Sequence, residues 1–350
     1  MSEKKSSNPS SVLYRKYRPD VWSDVIGQEH IVSVLEGSIK LNKIAHAYLF
    51  SGSRGTGKTT IARIFAKALG VTANDIYEID AASNRGIDDI REIRSGVSAF
   101  PLESKYKVYI IDEVHMLTKE AFNALLKTLE EPPTHVIFIL ATTETDKIPE
   151  TVLSRCQIFT FRKPNREILK ILVTKVAKKE GYVLESGTAE LVALLGDGSF
   201  RDTLGILQKV LSSSADKNIS IKEVEDITGA PKSVFVNDFI KALLSAKKED
   251  ALSVISKVKK ENISIKIFIA LILEKVRLLL ILKSLSKESI IKDFKQDVSE
   301  DDWVLLENLS KASDNKVNSG MLRELLKAYD ATTSAYIESL PLELVVVDIL

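Results

Sequence analysis

Ala47-Tyr-Leu-Phe-Ser51 is a short apolar run, Gly52-Ser-Arg-Gly-Thr-Gly57-Lys58-Thr59 is a glycine-rich turn, and Ile61 to Leu69 repeats apolar residues at helical spacing. A strand, a G-x-x-x-x-G-K-[ST] loop and a helix in that order make a phosphate-binding unit. Glycines let backbone N–H groups close around phosphate oxygens, and the helix N-terminus adds partial positive charge. The predicted cradle is Gly52, Ser53, Arg54, Gly55, Thr56, Gly57, Lys58, Thr59 and Thr60. Lys58 is expected to reach the β and γ phosphates, and Thr59 to present its hydroxyl to Mg²⁺.

Outward from this loop, Ile76 to Asp80, Lys107 to Asp112, Val136 to Ala141 and Gln157 to Phe161 are further β-branched or aromatic runs bounded by turn residues. Helical patterns at Gly86 to Val97 and Lys119 to Leu129 separate them. Strands alternating with helices predict an α/β domain whose mostly parallel sheet is covered on both faces. After Phe161 the strand signals stop, and helical segments follow, punctuated at Gly181, Gly187, Gly196 to Ser199, Ser212 to Asn218 and Gly229 to Pro231. Boundaries near Arg162 and Thr228 give three domains, 1–162, 163–228 and 229–350. The last shows helical spacing through Phe235, Phe239, Leu243 and Leu244, and again through Leu322, Leu325, Leu326 and Tyr329, which predicts a helix bundle.

Composition narrows the class. With 45% hydrophobic and 28% charged residues, 15 Gly and 9 Pro in 350, the chain is a poor fit for disorder or a collagen-like repeat. A net charge of +1 gives no global attraction to nucleic acid or membrane, so such a partner must be met by local patches. The single cysteine, Cys156, excludes an intrachain disulfide and leaves a cysteine-based zinc site without ligands, so no zinc and a reducing cytoplasm are expected. Residues 1–11 are polar and carry no signal peptide. Ile267 to Leu282 is interrupted by Glu274, Lys275 and Arg277 and reads as a buried helix, not a membrane span.

Lys107-Val-Tyr-Ile-Ile-Asp112-Glu113 is an apolar strand ending in two adjacent carboxylates, which strand alternation points in different directions. Asp112 is the candidate for the Mg²⁺ shell and Glu113 for polarising the attacking water. Downstream of a phosphate loop, this pair predicts a nucleoside triphosphatase. His115 reads equally as a packed structural histidine or as a participant.

Further motifs narrow the class again. Tyr14-Arg-Lys-Tyr-Arg-Pro19, Asp24-Val-Ile-Gly-Gln-Glu29, His46-Ala-Tyr-Leu-Phe-Ser-Gly52, Ile110-Ile-Asp-Glu-Val-His-Met-Leu117, Asn123-Ala-Leu-Leu-Lys-Thr-Leu-Glu-Glu-Pro-Pro133, Ala141-Thr-Thr143 and Ser154-Arg-Cys156 resemble the AAA+ clamp-loader ATPases, specifically the bacterial DNA polymerase III gamma/tau family. The resemblance covers essentially the whole chain. It implies an α/β AAA+ P-loop domain with a five-stranded parallel sheet, then a small all-α lid and an all-α collar. It also implies ATP and Mg²⁺ as cofactors, and other clamp-loader subunits as partners through the AAA+ and collar interfaces. The sliding clamp and primer-template DNA are the further partners, with no membrane and no polymerase active site in the chain.

By the same resemblance, Arg155 is the finger that reaches a neighbouring subunit's γ-phosphate, a task suited to a planar, bidentate guanidinium. The polar sensor falls on Thr143, with the adjacent Thr142 as the alternative. Arg201 of Gly198-Ser-Phe-Arg201 contacts ATP bound to its own chain. Asn84 and Arg85, ahead of the helix at Ile87, are the candidate DNA contacts, and Asn or Ser there also suits plain helix capping. Lys163, Arg166, Lys170, Lys175, Lys178 and Lys179 form a basic stretch whose default reading is a solvated face.

The sequence departs from the family where a four-cysteine zinc module normally sits, because Leu69 passes through Gly-Val-Thr-Ala-Asn-Asp75 directly to Ile76. With its end at Leu350, the chain is expected to be the short, gamma-like form. Two other classes compete: another AAA+ motor, such as a branch-migration helicase or an archaeal-type loader small subunit, and a nucleotide-binding scaffold without hydrolysis. A collar in place of a DNA-binding winged helix argues against the helicase, and the presence of Lys58, Glu113 and Arg155 argues against the scaffold.

Overall fold

In the computed structural model, residues 12–214, 216–284, 299–311 and 317–349 are described. The chain divides into two compact units, Met1–Leu169 with Gly196–Gly205, and Lys170–Leu195 with Ile206–Leu350.

The first unit is built on five strands, β1 (Ala47–Ser51), β2 (Ile76–Asp80), β3 (Lys107–Asp112), β4 (Val136–Thr142) and β5 (Gln157–Thr160). They form one sheet in the order β2-β3-β4-β1-β5, and every pairing is parallel. Its helices are α1 (Leu13–Lys16), α2 (Glu29–Lys40), α3 (Lys58–Ala68), α4 (Ile87–Val97), α5 (Lys119–Glu130) and α6 (Glu150–Leu153).

Strand alternation divides the apolar side chains between two cores. Tyr48, Phe50, Val108, Ile110, Ile137 and Ile139 pack with Ile31, Leu35, Ile61 and Phe65 on one face. Leu49, Tyr109, Ile111, Phe138 and Leu140 pack with Ile90, Phe122, Leu125 and Leu129 on the other. Burial on both faces is why β1, β3 and β4 read as continuous apolar runs. The parallel sheet also brings the C-terminal ends of β1, β3 and β4 to one edge, where ligands of open α/β sheets bind.

The five expected strands are present, with small shifts at two ends. β4 continues to Thr142 because that residue pairs with Ser51 and its carbonyl accepts the Gly52 N–H at 3.2 Å. β5 stops at Thr160, although the Phe161 N–H still donates to the Ser51 carbonyl at 2.7 Å.

The second unit is helical. Its elements follow as α7 (Arg166–Glu180) and α8 (Thr188–Leu195), α9 (Phe200–Ser213) and α10 (Ile221–Thr228), then α11 (Ser233–Leu244) and α12 (Lys248–Lys260). They end with α13 (Ile265–Ser284), α14 (Glu300–Lys311), α15 (Ser319–Thr332) and α16 (Leu340–Ile349). In sequence, α7 and α9 each run across the division. A two-residue parallel ladder of β6 (Val183–Leu184) with β7 (Asn218–Ile219) adds strand structure that the sequence reading did not contain.

From α11 onward, Phe239, Ile255, Phe268, Ile272, Val276, Leu325 and Val346 share one core. The apolar stretch at Ile267 to Leu282 lies inside α13 and contributes to that core. Among the described residues, no helix is long and apolar enough to cross a membrane.

Candidate functional site

The loop between β1 and α3 takes a path that only glycine follows freely. Gly52, Gly55 and Gly57 have φ of 145°, 73° and 105°. A Cβ on Gly52 would lie 2.7 Å from the carbonyl oxygen of Phe161, so the loop could not hold this position against β5 with any other residue. Gly57 caps α3 in the left-handed region, and the helix begins at Lys58, ahead of its first apolar residue, Ile61. Thr56 is fully buried and its hydroxyl donates to the Ser53 carbonyl at 2.9 Å, which tightens the turn from inside. Arg54 is exposed at the loop, and Thr60 is half-buried in the first turn of α3.

Lys58 is only 6% exposed. Its Nζ donates to the carbonyls of Gly52 at 2.7 Å and Ser53 at 3.0 Å, so the ammonium lies over the loop. Burial lowers its pKa, against the opposite pull of the Glu113 and Asp112 carboxylates.

Thr59 Oγ1 donates to Asp112 Oδ2 at 2.7 Å, joining the loop to the end of β3. A hydroxyl and a carboxylate held together are hard oxygen donors, and Mg²⁺ is commonly held by one or two such groups plus phosphate and water. The donor set therefore fits Mg²⁺.

Glu113 follows directly, in the left-handed region at φ 49°, where it caps the short 3₁₀ turn Val114–Met116. Its N–H donates to Asp112 Oδ1 at 3.0 Å, and its Oε2 accepts from Thr143 Oγ1 at 3.1 Å. Thr142 faces the other way and is fully buried. Its hydroxyl donates to the Glu144 carbonyl at 3.2 Å, accepts the Glu144 N–H at 3.0 Å, and lies 3.0 Å from His115 Nδ1. Of the two threonines, Thr143 is the one on the Glu113 carboxylate.

The segment around Arg201 belongs to this unit and packs on the phosphate loop. The Phe200 N–H donates to the Gly55 carbonyl at 3.0 Å, and a Cβ on Gly55 would run into Ser199. Arg201 lies 5.0 Å above the Tyr14 ring. Burial, with repulsion from Arg63, Arg15 and Arg201, lowers the pKa of Arg18, partly offset by Glu78. Four guanidinium groups are thus near enough to act on one another, with Arg63 held on Glu78 by hydrogen bonds of 2.8 and 2.7 Å. The Tyr14 to Pro19 motif hinted at this cluster, but its chemistry was not legible because Arg63 and Arg201 come from distant segments.

Gln28 was missed by sequence reasoning. It is 1% exposed, and its Nε2 donates to the Arg162 carbonyl at 2.7 Å and the Thr56 carbonyl at 3.4 Å, while its Oε1 accepts the Arg162 N–H at 3.3 Å. One amide therefore ties the start of α2, the phosphate loop and the end of β5. Its place inside the Asp24 to Glu29 motif was the only signal.

Three expected site residues have other partners. Arg155, just past α6, donates from Nη2 to Glu130 Oε1 at 2.8 Å and from Nη1 to the Thr151 carbonyl at 2.6 Å. Asn84 donates to the Asp80 carbonyl at 2.9 Å and Arg85 to the Ala82 carbonyl at 2.7 Å, so both brace the turn after β2. The first turn of α4 already carries Asp88 and Asp89, and Asp89 Oδ2 accepts the Gly86 N–H at 3.0 Å. Of this segment, Arg85 is the exposed cation.

The family profile described as DNA polymerase III, delta subunit, matches residues 27–85 and 71–165. DNA polymerase III subunit tau of Bacillus subtilis (strain 168) is 46% identical over 268 residues, 70% of this chain and 47% of that protein. DNA polymerase III subunit gamma/tau of Mycobacterium tuberculosis (strain H37Rv) is 40% identical over 254 residues, 66% of this chain and 44% of that protein. The chain spans about half the length of the curated relatives it matches. Among solved structures, the Thermotoga maritima RuvB Holliday junction branch migration motor is similar in fold, with a TM-score of 0.53 at 22% identity over 65% of this chain and 79% of that one.

Proposed function

The chain belongs to the DNA polymerase III gamma/tau family, and we propose that it is an ATP-hydrolysing motor subunit of a clamp loader, which uses ATP to place a sliding clamp on primer-template DNA. The observation that carries this reading is the joining of two pairs at one sheet edge: Thr59 on Asp112 and Thr143 on Glu113, beside Lys58.

In this reading the loop N–H groups receive the phosphates of ATP, and Lys58 exchanges the carbonyls of Gly52 and Ser53 for the β and γ phosphate oxygens. Thr59 and Asp112 would hold Mg²⁺, which would supply positive charge to offset that of the phosphates. Glu113 orients the attacking water and accepts its hydrogen bond, and Thr143 sets where that carboxylate stands. Arg201, packed beside Gly55, reads nucleotide bound to its own chain. Arg155 acts on a neighbouring subunit's nucleotide, and Arg85, with Asn84 bracing its loop, contacts the DNA backbone. The division into an AAA+ domain (1–162), lid (163–228) and collar (229–350) is part of this proposal, as is a cytoplasmic setting with other loader subunits.

The test is ATP turnover of the assembled complex with and without clamp and primed DNA. Strong stimulation by both together supports a loader. Glu113→Gln should bind nucleotide and lose turnover, and unchanged turnover would remove the hydrolytic assignment.

A further inference from the structure

We propose that His115 is a positioning residue for hydrolysis, holding the Glu113 carboxylate from its Nδ1 side while its Nε2 side anchors the ring on Glu144. This rests on the motor reading above.

The ring is almost closed to solvent, with a side-chain exposure of 6%. Nδ1 lies 3.0 Å from Thr142 Oγ1 and 3.5 Å from Glu113 Oε2, and Nε2 lies 3.2 Å from Glu144 Oε1. The Thr142 hydroxyl gives its hydrogen to the Glu144 carbonyl, so it offers the ring a lone pair. A carboxylate also only accepts. Both ring nitrogens therefore lie against acceptor oxygens.

The consequence for Glu113 is geometric. Thr143 comes to Oε2 from the end of β4, and His115 comes to the same oxygen from the turn after β3. The Thr143 hydrogen bond and the edge of the His115 ring, 3.5 Å away, both bear on Oε2, which restricts the plane of the carboxylate and leaves Oε1 to meet the water. The far side of the ring is fixed as well, because Glu144 Oε2 pairs with Lys147 Nζ at 2.8 Å. A line of contacts thus runs from Glu113 through His115 and Glu144 to Lys147. A histidine serving only to fill the core would need one polar partner for each nitrogen. It would not need to share an oxygen with the sensor threonine.

Isosteric substitution separates the two sides of the ring. An asparagine amide nitrogen stands near the position of Nδ1, and a glutamine amide nitrogen near that of Nε2. We expect His115→Ala, in the full chain assembled with its partners, clamp and primed DNA, to lower kcat roughly tenfold or more, the scale for a displaced catalytic group. KM for ATP and nucleotide binding should stay within about twofold, because no phosphate contact is lost. His115→Asn should recover most of kcat and His115→Gln should not.

The proposal is overturned if His115→Ala keeps wild-type kcat, if kcat and nucleotide affinity fall together, or if Gln rescues as well as Asn. Should the alanine variant fail to fold, the comparison of Asn with Gln still decides. A wild-type complex that does not hydrolyse ATP removes the motor reading itself. An active wild type with an inactive Glu113→Gln and an unaffected His115→Ala removes only the role of His115.

Discussion

Thr143 Oγ1 donates to Glu113 Oε2 at 3.1 Å and so links the end of β4 to the residue that follows β3. Its neighbour Thr142 is turned into the protein, where its hydroxyl satisfies both the N–H and the carbonyl of Glu144. Equal side chains one residue apart therefore predict different losses. Thr143→Val should leave folding and nucleotide binding intact and reduce ATP turnover by roughly tenfold or more. Thr142→Val keeps the shape but strands buried polar groups, and should lower unfolding free energy by about 1–3 kcal/mol. Denaturant midpoints and single-turnover ATPase measured on both variants would reveal an exchanged assignment.

Arg155 predicts a loss visible only in the assembly. Within its own chain its guanidinium holds Glu130 and the Thr151 carbonyl, a partly exposed ion pair worth at most about 1 kcal/mol. Arg155→Ala should therefore leave the melting temperature of the isolated chain nearly unchanged. If Arg155 acts on a neighbour's nucleotide as proposed, ATP turnover in the complex with clamp and DNA should fall by about 10³-fold or more, the scale for an arginine finger supplied across an interface. Loss of turnover by the same factor in the isolated chain would contradict action on a neighbour.

Much of the site was legible because its chemistry is local. The phosphate loop needs glycines, a lysine and a threonine at fixed spacing beside a strand and a helix, and all of them fall between Gly52 and Thr59. What escaped depends on which way a chain end turns. Thr142 and Thr143 differ only in facing, which the pairing of β4 with β1 decides at its last residue. His115 gained its meaning from Thr142 and Glu144, which lie on another strand and its loop. The β6–β7 ladder, with two residues a side, is too short to show alternation. Gln28 and Asp75 look like ordinary turn polars, yet both are buried and satisfied by segments distant in sequence.

Asp75 carries a pH signature. It is fully buried, and burial alone would raise its pKa. The N–H groups of Leu102, Glu103 and Ser104, at 2.6, 3.0 and 2.8 Å, together with the Ser104 hydroxyl, outweigh that and hold the pKa down at about 2. A folded-state value depressed below the ordinary 3.8 stabilises the fold above that ordinary value, and the contribution is lost as pH falls through about 2. Asp75→Asn should therefore be less stable than wild type at neutral pH, and the gap should narrow between about pH 4 and pH 2. Urea midpoints for the two proteins across that range check this, and a gap independent of pH would show that the carboxylate charge is not the cause.

In the helical unit, Lys275 of α13 and Asp302 of α14 form a buried ion pair at 2.7 Å, each side chain 7% exposed. Asn237 of α11 completes the group, accepting from Lys275 at 2.7 Å and donating to Asp302 at 2.9 Å. Burial pushes the Lys275 pKa down, while Asp302 and Glu225 pull it back. Removing one charge strands the other in a site it cannot leave, so Lys275→Met should destabilise by about 3–5 kcal/mol. Replacing the whole group by apolar residues, Lys275→Met with Asn237→Leu and Asp302→Leu, removes the desolvated charges together and should recover most of that loss. The order of the denaturant midpoints is the decisive observable: wild type and triple variant near each other, the single variant well below. A triple variant less stable than the single one would mean that the polar group contributes net stability, not merely a penalty for being broken.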